Sequence, residues 1–138
     1  MKSIVLKSSL LLGLLFAAPL FAAPHFTDIV VSDSKDGDAV ETFAPTVAKI
    51  FVHAEMSDID KGAKMSGVWI AVDTHGAAPP NYKIDSADLV ADGVINTVTY
   101  SLSKPNKGWP IGKYRVELSV DGKVVGSASF TIEGGEGG

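Results

Sequence analysis

Between residues 26 and 132 the chain consists of short segments in which apolar and polar residues alternate, separated by turn residues. Alternation with a period of two is typical of β-strands that bury one face, whereas no stretch shows the spacing of an amphipathic helix. The pattern predicts an all-β domain of about seven strands. The predicted strands are residues 26–32, 47–56, 65–73, 87–91, 94–103, 113–120 and 123–132.

The alternation also predicts which side chains point inward. In the second predicted strand, Ile50 and Ala54 fall on one side, and Phe51 and His53 fall on the other. The third predicted strand is apolar on both faces, which is expected of a central, covered strand. In the last three strands the predicted inward residues are Val94, Val98, Tyr100, Leu102, Tyr114, Val116, Leu118, Val120, Val124, Ala128, Phe130 and Ile132.

Turn residues set the connections between these strands. Asp121-Gly122 is the strongest hairpin signal in the chain, since both positions of a tight hairpin turn favour residues that tolerate positive φ. Residues 74–86, which include glycine and two prolines, are predicted to form a long loop. Strands at these intervals predict a two-sheet antiparallel β-sandwich, with a closed barrel as the alternative.

The N-terminus has the composition of an export signal. Lys2 and Lys7 precede the apolar run 10–16, and the small Ala22 suits position −1 of a cleavage site. The apolar stretch is too short to span a bilayer, which needs about 20 residues. We therefore expect a cleaved signal peptide at residues 1–22, a periplasmic or secreted protein, and no stable membrane insertion after cleavage.

The remaining chain divides into a domain at residues 23–133 and a flexible, glycine-rich tail at residues 134–138. Without Lys2 and Lys7 it has ten basic against 16 acidic residues, a net charge of −6. Nucleic acids and anionic membranes attract basic surfaces, so neither is an expected partner. The absence of cysteine excludes disulfides, thiol nucleophiles and cysteine-ligated zinc.

Trp69 lies in the middle of a predicted strand, and Tyr114 opens a later one within the run Gly-Lys-Tyr-Arg-Val. These residues resemble the buried tryptophan and the tyrosine corner of immunoglobulin-like and fibronectin-III-like domains. The closing stretch, Gly-Trp-Pro-Ile-Gly-Lys-Tyr followed by Asp-Gly and Phe-Thr-Ile, resembles the last hairpin of small secreted bacterial domains of this kind. In this resemblance Ala54 and Val116 stand roughly where disulfide-bonded members carry cysteines. The resemblance implies an immunoglobulin-like sandwich with these four residues in its core, and it implies no particular activity because this fold hosts many.

The sequence contains no motif of a known catalytic class: it has no phosphate-binding glycine loop, HExxH, GxSxG or CxxC. We therefore expect a protein that is not an enzyme and has no cofactor. His53 and His75 are candidate metal ligands, although a useful site needs several convergent donors and solvated histidines are the favoured interpretation.

Three aromatic residues are candidates for binding. Tyr82 and Trp109 fall in predicted loops, where an exposed ring can stack on a sugar or anchor a protein. For Trp109 we favour the alternative that it caps one end of the sandwich above Tyr114. Phe51 is predicted on an outward face, where it either contacts a partner or is covered by a loop.

These observations predict an exported, non-enzymatic β-sandwich that binds a protein or other macromolecular partner in the periplasm or cell envelope. One alternative is a small periplasmic metal-binding protein that uses His53 and His75. Another is a carbohydrate-binding accessory module that acts through Trp109.

Overall fold

The computed structural model describes residues 23–134, so the predicted signal peptide and most of the predicted tail lie outside the described residues. None of the described residues belongs to a helix long and apolar enough to cross a membrane. The described chain forms the strands β1 His25–Ser32, β2 Thr42–Phe43, β3 Lys49–Ser57, β4 Lys64–Asp73, β5 Tyr82–Val90, β6 Thr97–Ser103, β7 Gly112–Val120 and β8 Lys123–Ile132.

The strands form two sheets. The smaller sheet has the order β1-β3-β6, and the larger has the order β2-β8-β7-β4-β5. Every pairing is antiparallel except that of the short β2 with β8. The two-sheet sandwich is therefore confirmed, and β4 is a central strand as predicted because it pairs with both β7 and β5.

The core lies between the sheets, and the inward residues of β3 and β7 dominate it. Ile50, Val52 and Ala54 are buried from β3, as the alternation predicted. All four predicted residues of β7 are buried as well. Burial of these side chains supplies the main driving force for a domain that has no disulfide to restrain it.

A row of aromatic rings runs through the core toward one end of the sandwich. Phe130 of β8 lies against the edge of Phe43, with ring centroids 5.7 Å apart, and stacks on Tyr114 at 5.2 Å. Trp69 meets Phe130 edge-on, and Trp109 meets Tyr114 in the same way. Offset and edge-to-face contacts of this kind add to the stabilisation from buried area alone. The row links the predicted core tryptophan to the loop that carries Trp109.

Tyr100 shows how closely the sheets approach. A Cβ atom on Gly67 of β4 would lie 2.8 Å from the Tyr100 ring of β6, so only glycine leaves room for this ring. The Tyr100 hydroxyl is buried and has no hydrogen-bond partner among the described residues. Burial raises the pKa of Tyr100 to about 12, because the ionised phenolate would lose its hydration.

The prediction of a loop over residues 74–86 is wrong from Tyr82 onward. β5 begins there and continues to Val90, whereas the sequence predicted only a short strand at residues 87–91. Almost every side chain of β5 is exposed, so burial imposes no alternation on its sequence. Backbone pairing with β4 defines the strand instead.

Two residues predicted to point inward are exposed. Val94 is 85% exposed because β6 begins only at Thr97. Val94 lies in the turn before β6, where the Asp92 side chain accepts hydrogen bonds from the N–H groups of Val94 and Ile95. Those bonds also lower the pKa of Asp92. Val124 is 53% exposed because a register shift between β7 and β8 breaks the alternation there.

Candidate binding cleft

An open, largely apolar cleft of about 430 Å³ lies at one end of the sandwich. It is bounded by the end of β4, the start of β5, and the loops that precede β5 and β7. We call it the cleft; its lining residues are Ala71, Thr74, Ala78, Tyr82, Ile84, Pro105, Asn106, Lys107, Gly108, Trp109, Pro110 and Tyr114. Its volume lies within the range of about 300–1,000 Å³ that is usual for ligand pockets.

Trp109 forms a fixed wall of the cleft. Its backbone N–H donates to the carbonyl of Pro45, and its indole Nε1 donates to the carbonyl of Val47 at 2.9 Å. Only 3% of the residue is exposed, and its ring meets the edge of Tyr114 with centroids 6.0 Å apart. Trp109 therefore lies over Tyr114 at the end of the core, and it does not present an open ring face to solvent.

Tyr114 holds the base of the same wall. Its hydroxyl donates to the carbonyl of Pro110, four residues upstream, which is the arrangement of a tyrosine corner. Burial raises the pKa of Tyr114 to about 12, so the hydroxyl remains a hydrogen-bond donor well into the alkaline range. The bond fixes the path of the chain between Trp109 and the start of β7.

Tyr82 forms the opposite, more accessible wall. It is 50% exposed and stands at the first position of β5. The preceding residue, Asn81, has a φ of 55°, a left-handed conformation that asparagine tolerates better than most residues. Asn81 also donates its N–H to Val72, and its side-chain oxygen accepts a bond from Arg115 Nη1 at 3.0 Å. The backbone that carries Tyr82 is thus held while its ring faces solvent.

Few polar side chains line the cleft, and two of them, Asn106 and Lys107, are exposed. Lys107 is the one charged side chain among the described residues that line it. Thr74 Oγ1 already accepts the N–H of Ala78 at 3.0 Å, which stabilises the adjoining turn. A surface of this composition suits an apolar group with a few polar contacts at its edge.

The structure brings Tyr82 and Trp109 to the same cleft, although the sequence placed them in separate loops. Ile84 also lines it, and this residue was not predicted because residues 74–86 were expected to form a loop. The spacing of Tyr82 and Ile84, two residues apart, is the one strand signal that the segment contained.

Phe51 and His53 lie on the outward side of the smaller sheet and are both partly buried. The ammonium of Lys49 lies over the Phe51 ring, 6.0 Å from its centroid, so the lysine side chain covers part of the ring face. His53 Nε2 is buried and has no hydrogen-bond partner among the described residues.

His75 is exposed in the turn after β4, where its N–H donates to Asp73 Oδ1 at 3.1 Å. It therefore adjoins the larger sheet, whereas His53 belongs to the smaller one. Within residues 23–134, no group of three or more histidine, cysteine or acidic side chains could hold a metal ion. The candidate core residues Ala54, Trp69, Tyr114 and Val116 are all buried.

No protein-family model and no curated protein sequence matches the chain. Among solved structures, it is similar to an immunoglobulin-like protein from Pseudomonas aeruginosa, with a TM-score of 0.50 and 10% identity over 83% of this chain and 94% of that one. The similarity is low in sequence, but it extends over most of this chain and nearly the whole of the other. Together with the two-sheet topology and the tyrosine corner, it shows that the protein is an immunoglobulin-like β-sandwich.

Parts of two enzymes have the same fold. One is the DNA glycosylase AlkC of Pseudomonas fluorescens, with a TM-score of 0.51 and 14% identity over 81% of this chain. The other is β-glucosidase 3B of Thermotoga neapolitana in complex with α-D-glucose, with a TM-score of 0.51 and 14% identity over 81%. This chain spans 31% of the glycosylase and 16% of the glucosidase. At this identity the similarity shows a shared fold alone.

Proposed function

We propose that the protein is an exported, non-enzymatic immunoglobulin-like domain that binds a protein partner in the periplasm through the cleft. The signal-like composition of residues 1–22 supports export. The observation that carries the binding proposal is the pairing of a half-exposed aromatic residue, Tyr82, with the fixed wall at Trp109. Aromatic anchors next to preformed apolar pockets contribute much of the affinity of protein interfaces.

The cleft needs little rearrangement to receive a side chain. Hydrogen bonds hold both the Trp109 wall and the backbone beside Tyr82. Binding to a preformed surface avoids part of the entropic cost of ordering loops.

Site-specific photo-crosslinking in the producing cells tests this proposal. A photoreactive residue replaces Lys107 at the rim, and the matched control replaces Lys123 in the hairpin at the opposite end of the domain. We expect one partner to crosslink from position 107 and not from 123. Tyr82→Ala should abolish that crosslink, while Tyr82→Phe keeps the ring and should retain it. Equal crosslinking from both positions, or none from 107, would contradict the proposal.

A carbohydrate ligand is the second candidate, because a half-exposed tyrosine beside a cleft can also stack on a sugar ring. Titration with glucose and with soluble cell-wall glycans, followed by intrinsic fluorescence, tests this candidate. A saturable change that disappears in Tyr82→Ala would favour it over a protein partner. An unchanged spectrum in every titration would remove it.

A further inference from the structure

β5 is an edge strand of the larger sheet, and none of the described strands pairs with its other side. In an antiparallel ladder, every second residue directs its N–H and C=O to the same neighbour. Ala91 donates to Ala63 and accepts from Gly62, which places its polar groups on the β4 side. Counting back by twos from Ala91, Leu89 and Ala87 also face β4. The residues between them, Val90, Asp88 and Ser86, therefore direct their N–H and C=O groups to the open edge.

The hydrogen bonding of Ser86 agrees with this count. Its N–H donates to the side chain of the preceding residue, Asp85 Oδ1, at 2.8 Å. An N–H that pairs with β4 would not be available for this bond. Asp85 therefore caps an edge position, and charged side chains on edges are a common means of preventing unwanted strand addition.

We propose that an extended segment of the partner protein adds to the open edge of β5 as an antiparallel strand, with a basic side chain beside Asp85 and an apolar side chain in the cleft. This inference rests on the proposed function, since it requires the cleft to hold part of the same partner. Strand addition to an exposed sheet edge is a general mode of peptide recognition, in which the backbone gives affinity and side-chain pockets give specificity.

β5 carries the exposed Lys83 as well as two exposed acidic residues, so the negative charge that favours a basic residue on the incoming segment is confined to the part of the strand from Asp85 onward. Asp85 and Asp88 are both exposed, and Ser66 Oγ donates to Asp88 Oδ1 at 2.7 Å, which orients that carboxylate. A lysine or arginine on the incoming strand can attract the Asp85 carboxylate away from the Ser86 N–H. The N–H then becomes free to donate to the backbone of the new strand. An acidic segment would meet repulsion at the same place.

The direction of the strand follows from the position of the cleft. Tyr82 starts β5 and Ser86 lies four residues further on. An antiparallel segment that passes Ser86 reaches the cleft roughly four residues later, because both strands have nearly the same rise per residue. The segment should therefore carry its basic residue first and its apolar residue about four positions toward its C-terminus.

Crosslinking from two positions tests the proposal in the full-length protein. Photoreactive residues replace Ser86 at the edge and, in a separate variant, Lys107 at the cleft, and mass spectrometry identifies the crosslinked peptides. We expect both positions to capture the same partner segment, with a basic residue near the first crosslink and an apolar residue near the second. Capture at 107 without capture at 86 would leave the proposed function standing and overturn strand addition. Absence of capture at both positions would overturn both.

Charge reversal provides a matched control. In Asp85→Lys the yield of the crosslink from 107 should fall about fivefold, which corresponds to the loss of an interaction of about 1 kcal/mol. Asp33→Lys makes the same change in an exposed loop and should leave the yield unaltered. Equal effects of the two reversals, or no effect of either, would contradict a specific role for Asp85.

Amide hydrogen exchange of the purified protein tests the cap itself. In Asp85→Ala the Ser86 amide should exchange about tenfold faster, because it loses its only acceptor among the described residues. Ala87 faces β4 by the same count and should keep its rate. An unchanged Ser86 rate would show that Asp85 does not protect the edge and would overturn the proposal.

Discussion

β7 and β5 pair with opposite sides of the same strand, β4, yet their surroundings differ completely. Most of β7 is buried, whereas nearly all of β5 is exposed. The difference arises from the second layer, because a sheet of three strands cannot cover one of five. Hydrogen bonding to a central strand is thus enough to form a neighbouring strand, but coverage by the opposite sheet decides whether it serves the core or the surface.

The largest effect on stability is expected when one leucine is truncated in each of the two strands. Leu118→Ala in β7 deletes a side chain with 0% exposure and should lower the free energy of unfolding by about 2–5 kcal/mol. Leu89→Ala in β5 deletes one that is 44% exposed and should cost less than about 1 kcal/mol. Urea unfolding measures both. Similar losses would show that β5 contributes to the core as much as β7.

A smaller difference in stability is expected between variants of the two buried tyrosines, Tyr114 and Tyr100. Tyr114→Phe removes the hydrogen bond to Pro110 and should cost about 1–2 kcal/mol, because the carbonyl loses its partner. Tyr100→Phe removes a hydroxyl that has no partner among the described residues, so stability should stay the same or rise. Thermal unfolding of the two variants gives the comparison. A larger loss in Tyr100→Phe would contradict this assignment of roles.

The raised pKa values of the same two tyrosines predict that the protein loses stability at alkaline pH. Burial raises each pKa from 10.0 to about 12, so the folded state holds these protons more tightly than the unfolded state does. Below pH 10 both tyrosines are protonated in the folded and the unfolded state, so their ionisation does not affect stability. As the pH rises from 10 toward 12 they ionise first in the unfolded state, which favours unfolding. Unfolding free energies measured across this range should fall, and the fall should be smaller in the Tyr100→Phe/Tyr114→Phe double variant. An equal fall in both proteins would contradict the prediction.

The smallest expected effect on stability is at the surface of β5. Tyr82→Ala removes a half-exposed ring and should change the free energy of unfolding by no more than about 0.5 kcal/mol. The same variant should nevertheless lose the crosslink to the partner from position 107. Loss of stability comparable to that of Leu118→Ala would show that the ring belongs to the core, and would weaken its assignment as an anchor.

The parts of the fold that were predictable are those where burial controls the sequence. β3 and β7 alternate because one face of each meets the core, so the residues from Ile50 to Ala54 and from Tyr114 to Val120 were placed correctly. β5 was misplaced because its exposed side chains are free to vary. β2 was missed because a two-residue parallel pairing leaves no pattern.

The cleft was only partly predictable, for a different reason. Two of its three aromatic residues, Tyr82 and Trp109, could be named as binding candidates from residue type and from the neighbouring turn residues. Their meeting depends on how β5 pairs with β4 and how the loop before β7 returns over the core, which are long-range properties. The sequence also contains no sign that Asp85 caps the backbone of Ser86, since that bond depends on which residues of β5 face the open edge.

The bond from the Trp109 indole to the Val47 carbonyl bears on the proposed binding function, because it limits the shapes that fit the cleft. It ties the loop before β7 to the approach to β3, so this side of the cleft moves only if part of the sandwich moves with it. Among the described residues, no hydrogen bond holds the ring of Tyr82, so this ring can rotate. The adjustable Tyr82 side lets ligands of different thickness fit such a cleft, whereas the rigid Trp109 side fits only a ligand surface of matching shape. Under the proposed function, related ligands should therefore differ more in their dissociation rate constants than in their association rate constants.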